Sequence, residues 1–65
     1  MYALLNNKTK KFFRLENQYH NCHEVDTFIE AKTFKTKKDA AYNNCLINGD
    51  YRIIDINEAK EMNLL

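Results

Sequence analysis

The sequence predicts an α+β fold: a small antiparallel sheet, in the element order β-β-β-α-β-α, packed against one main helix as a two-layer sandwich. Three observations carry that expectation. Short segments of strand length and character occupy residues 2–5, 11–15 and 51–56. One helical stretch, about residues 37–47, lies between a threonine suited to capping, Thr36, and the only glycine, Gly49. The 65 residues contain no proline and no linker-like tract, which leaves room for a single domain over residues 1–65. A helix of this kind must bury an apolar face, and the sheet is the only partner large enough.

The elements follow in order. Residues 2–5 are apolar and lead into Asn6-Asn7-Lys8-Thr9, where asparagine tolerates the positive φ of a tight turn. Residues 11–15 return as the second strand, with Phe13 and Leu15 on one face and Phe12 and Arg14 on the other. Residues 16–26 show no period and read as a loop. A third extended segment spans 28–34 and is best defined at 31–34. Thr36 then caps the helix, Asp39 three residues on completes a capping-box-like pair, and Ala40, Ala41, Cys45 and Leu46 continue it. Gly49 suits a left-handed position after the helix. The isoleucine-rich run 51–56 is the closing strand, and Asn57 caps a last short helix over 58–62.

Composition narrows the functional classes. Only sixteen residues are Leu, Ile, Val or Phe, so the core is small. The opening Met1-Tyr2-Ala3-Leu4-Leu5 turns polar at Asn6, unlike a secretory leader, and no apolar run is long enough to cross a bilayer. A cytoplasmic protein without membrane contact is therefore expected, with Cys22 and Cys45 as reduced thiols. The formal charge is +1, but residues 1–38 carry +4 and residues 39–65 carry −3.

Two clusters invite chemistry. His20-Asn21-Cys22-His23 supplies zinc-ligand types, with Cys45 as a conceivable fourth. Three donors within four residues do not reach one tetrahedral ion easily, so no metal and no cofactor are expected. A thiol between imidazoles could be activated, but no glycine-rich loop or second acid accompanies it, and the chain is not expected to be an enzyme. The other cluster is basic. Lys8, Lys10 and Lys11 decorate the hairpin, and Lys35, Lys37 and Lys38 bracket a helix N-terminus. Lysines interleaved with aromatics can follow a phosphate backbone, so a small nucleic-acid-binding module is the alternative reading.

The stretch EAKTFKTKKDAA at residues 30–41, with a hairpin before it and an isoleucine-rich strand after it, resembles a layout common in small bacteriophage proteins. In those, an Ala-Lys-x-Phe strand runs through a Ser/Thr cap into a helix, and a terminal strand closes the sheet. The resemblance implies a short early viral protein that binds a host protein and modulates or inhibits it, in host takeover or against host defence. It carries over no functional residue. If the helix covers one sheet face, the opposite face is left for the partner, with Phe12, Arg14, Tyr19 and Arg52 as contacts. A homodimer would use the same surface. The competing expectation is that the 16–26 loop folds over this face and makes Phe12 core.

Overall fold

The computed structural model describes residues 1–15, 22–47 and 49–65. They form a curled antiparallel sheet with two helices, an α+β fold as the sequence predicts. The strands are β1 (Tyr2–Asn6), β2 (Lys11–Leu15), β3 (Cys22–Val25), β4 (Thr33–Phe34) and β5 (Arg52–Asp55). The helices are α1 (Lys37–Leu46), between β4 and β5, and α2 (Ile56–Glu61), directly after β5. Strand β3 falls within the stretch read as a loop. Only Val25 of its four residues is of the β-branched or large aromatic kind that signals a strand, and it is held by its register with β2, from Phe12↔Val25 to Leu15↔Cys22.

β1 organises the sheet. Along one edge it pairs with β5, from Tyr2↔Asp55 to Leu5↔Arg52. Its other edge is divided: Leu5 and Asn6 face Phe12 and Lys11 of β2, while Tyr2 and Ala3 face Phe34 and Thr33 of β4. The Lys32 amide donates to the Phe13 carbonyl at 3.0 Å, where β2 peels away and β4 replaces it. Because β4 and β5 are both antiparallel to β1, they run parallel to each other with β1 between them, and α1 is their crossover.

The alternation of faces runs as the sequence predicts, but both faces are covered. Leu4, Phe13, Phe34 and Ala40 form the cluster beneath α1. On the opposite face Ala3, Leu5, Phe12, Phe28, Ile54 and Ala59 form a second cluster. The second cover comes from α2 and from residues 27–32. Phe28 meets Phe12 edge-on with ring centroids 5.8 Å apart, and its amide donates to the Leu64 carbonyl at 2.8 Å. The free face expected for a partner is therefore absent, and Phe12 is fully buried in the core.

The ends of the elements correct three further expectations. The Asn6 side chain accepts from the amides of Lys8 and Thr9, but Lys10 takes the left-handed conformation in this hairpin, at φ 59°. Gly49 does not adopt positive φ. Space demands glycine there: a Cβ would lie 2.7 Å from both Asn44 Oδ1 and the Tyr51 ring. The left-handed cap occurs instead after α2, at Asn63 with φ 61°. The Leu64 amide reaches the Ala59 carbonyl and the Asn63 amide reaches that of Lys60, a Schellman arrangement. Finally, Asp55 rather than Asn57 caps α2, accepting from the Asn57 amide at 3.4 Å.

Candidate protein-binding surface

Of the contacts expected on the Phe12 face, the two arginines fasten the segments that cover it. The Arg14 guanidinium donates to the Glu30 carbonyl at 2.7 Å. Arg52 pairs with Glu58 of α2 at 3.2 Å. Tyr19 lies outside the described residues.

The two lysine sets are brought to opposite ends of the sheet. Lys8, Lys10 and Lys11 sit at the β1–β2 turn, beyond Asn6. Lys35, Lys37 and Lys38 follow Phe34, the partner of Tyr2 at the start of β1. A five-residue strand separates them by roughly 13 Å. Lys11 also meets Asp26 at 3.8 Å. The lysines thus form two small groups, and no single stripe joins them.

His20 lies outside the described residues. Among the described ones, no group of three or more His, Cys, Asp or Glu side chains is placed to hold a metal ion. Cys45 is exposed on α1. No described helix is long and apolar enough to cross a membrane.

A cleft of about 760 Å³ opens at the hairpin end, lined by Asn6, Phe13, Glu24, Ile47 and Tyr51 among others. Its floor is the Phe13–Tyr51 ring pair, 5.8 Å between centroids. Glu24 dominates its wall and accepts from Asn6 Nδ2 at 2.9 Å, Thr9 Oγ1 at 3.2 Å and the Tyr51 hydroxyl at 3.2 Å. These bonds tie the hairpin turn and β3 to the start of β5. The carboxylate is a structural knot.

The more informative feature is α1. Thr36 caps it as the sequence predicts, its hydroxyl accepting from the Asp39 amide at 3.1 Å. An α-helix turns about 100° per residue, so residues 40, 43, 44 and 47 share one side and residues 38, 41, 42, 45 and 46 the other. The inward side is small and polar. Ala40 is its only fully buried helical residue, and Asn44 clasps the Tyr51 backbone, donating to its carbonyl at 3.2 Å and accepting from its amide at 3.4 Å. Asn43 Oδ1 is buried without a hydrogen-bond partner. The outward side carries Ala41, Tyr42, Cys45 and Leu46 beside Lys38, all exposed. Tyr42 is 66% exposed and Leu46 64%. An ordinary surface helix has the reverse arrangement. The expectation that this helix buries its apolar face against the sheet is met by Ala40 alone among its residues, and Leu46 points away. The missed signal was the asparagine pair Asn43-Asn44, three and four residues after Ala40 on the inward side. Comparison with protein families, with characterised proteins and with solved structures finds no match to this chain.

Proposed function

We propose that this chain is a non-enzymatic protein that works by stoichiometric binding to another protein, with the outward side of α1 as its contact surface. The observation that carries the reading is the inverted helix: the sheet receives Ala40, Asn43 and Asn44, while Tyr42, Cys45 and Leu46 face solvent. Exposed apolar groups clustered on a rigid element are the usual mark of an interaction site. The phage-like layout makes a host protein the partner, which the bound chain would modulate or inhibit from within the host cytoplasm.

The test is affinity capture of the partner by the wild-type chain and by Leu46→Asp, with nuclease present and absent. Capture that survives nuclease and is lost with Leu46→Asp, at unchanged circular dichroism, supports the reading. Capture that requires nucleic acid and weakens with a salt slope of about 0.7–0.9 per phosphate neutralised would transfer the function to the lysines instead.

A further inference from the structure

From the same reading of α1 as the contact face, we infer that in the absence of a partner this face is covered by a second copy of the chain, packed antiparallel helix to helix. Dimer and partner complex are then mutually exclusive, and self-association regulates the site.

The face is self-complementary in shape. A two-fold axis crossing α1 between Ala41 and Tyr42, the middle of Lys37–Leu46, sets Tyr42 of each copy over Ala41 of the other. The large ring thus meets the small residue. The same axis brings Lys38 of each copy beside Cys45 of the other, within one turn of Leu46. There the lysine stems extend the apolar contact while their ammonium groups remain in water.

The face is also self-complementary in charge. The N-terminal end of α1 carries Lys35, Lys37 and Lys38, whereas its last turn contains no basic residue and exposed Asp50 lies just beyond. A helix C-terminus is the negative end of the macrodipole and favours cations. Within one copy the last turn of α1 supplies no cation; in the antiparallel pair the second copy's Lys38 supplies one. A formal charge of +1 leaves little repulsion between copies.

Size sets the strength. Ten helical residues extend about 15 Å on a helix about 10 Å across, a strip far smaller than the ~800 Å² per partner of a standard stable interface. The dimer is accordingly weak, formed at high concentration and displaced by a partner that covers more surface.

Sedimentation equilibrium of the full chain from about 10 μM to about 1 mM, where weak association is read, tests this. The expected result is a mass rising from 7.8 kDa toward twice that value. Leu46→Asp and Tyr42→Asp should each hold the chain monomeric with unchanged circular dichroism. Lys38→Glu should weaken the dimer about fivefold, because it sets a carboxylate against the negative end of the second copy's helix. A wild-type chain that stays monomeric at about 1 mM, or dimerises equally in both aspartate variants, overturns the proposal. An unaffected Lys38→Glu dimer overturns the antiparallel arrangement. A monomeric wild type that still loses its partner on Leu46→Asp removes the dimer and leaves the proposed function standing. A dimer broken by Leu46→Asp, with no partner captured, does the reverse.

Discussion

The two helices solve the same problem in opposite ways. α2 has six residues, yet it is anchored at every point: Asp55 caps it, Arg52 pairs with its Glu58, Ala59 is buried, and a Schellman turn at Asn63 returns Leu64 to the core. α1 is longer and carries more apolar residues, but it gives the sheet only Ala40, the flanking Ile47 and two asparagines. The lesson is that length and apolar content do not identify the helix that stabilises a small domain. α2 closes a core. α1 rests on the other core and turns its apolar side outward. The proposed partner binding by α1 and the stability from the Phe12 cluster should therefore be separable by mutation.

The largest expected effect comes from the cluster under α2. Replacing Phe12 by Ser removes a fully buried ring that meets Phe28 edge-on and pairs across the sheet with Leu5 and Val25. Deleting a buried phenylalanine costs about 3–5 kcal/mol, a large share of the stability available to a chain of this size. Urea denaturation should show a midpoint sharply lowered or no folded baseline. A melting temperature within a degree or two of wild type, with partner binding lost, would return Phe12 to the surface.

A smaller loss is expected where α1 gives way to β5. Gly49→Ala forces a methyl group against Asn44 Oδ1 and the Tyr51 ring, each 2.7 Å from the ideal Cβ. The Asn44 side chain bonds the Tyr51 backbone at both its carbonyl and its amide, and Tyr51 in turn holds Glu24. Relief of the clash therefore disturbs the link between α1, β5 and the hairpin. Overpacking of this kind costs about 1–3 kcal/mol, read as a lower denaturant midpoint with α2 and the Phe12 cluster unshifted by NMR. A stabilised Gly49→Ala chain would show that Asn44 and Tyr51 move aside freely.

How far the sequence discloses these differences depends on the range of the forces involved. The hairpin strands, Thr36 as a cap and the alternation of Phe12 against Phe13 are local properties of φ/ψ preference and side-chain period, and they are legible. β3 is not, because Cys22-His23-Glu24-Val25 becomes a strand only by pairing with β2. The glycine after α1 is a plain helix-end signal, yet its cause is the approach of Asn44 and Tyr51, which sequence cannot show. Phe12 was placed on the correct face, but that face is filled from a distance by Phe28, Ala59 and Leu64. The outward apolar side of α1 is not legible for the same reason: which side of the helix meets the sheet is decided by tertiary packing.

The inward side of α1 offers a gain in stability. Asn43 Oδ1 is buried with no partner, and asparagine is a poorer helix former than alanine. Asn43→Ala removes an unsatisfied acceptor and should raise stability by about 0.5–1 kcal/mol, seen as a higher melting temperature with the Thr36 cap intact. A loss instead would mean that the Asn43 amide does packing work that its oxygen does not reveal.

The smallest effect on stability, and the one that bears most on function, belongs to the outward side. Leu46 is 64% exposed and Tyr42 66%, so replacing either by Ser gives up little burial and breaks no hydrogen bond described for it. Exposed substitutions of this kind usually shift stability by no more than about 0.5 kcal/mol. The double variant Tyr42→Ser/Leu46→Ser should therefore keep the wild-type denaturation midpoint. If α1 is the contact face, the same protein should nevertheless lose its partner, because apolar and aromatic anchors at the centre of an interface carry most of the binding energy. Isothermal titration against the captured partner, run beside a denaturant melt of the same sample, reads both quantities. A lowered midpoint would mean that Tyr42 and Leu46 pack within the fold, and the contrast between the two helices would collapse. An unchanged midpoint with undiminished binding would leave that contrast intact and deny α1 the role of contact surface.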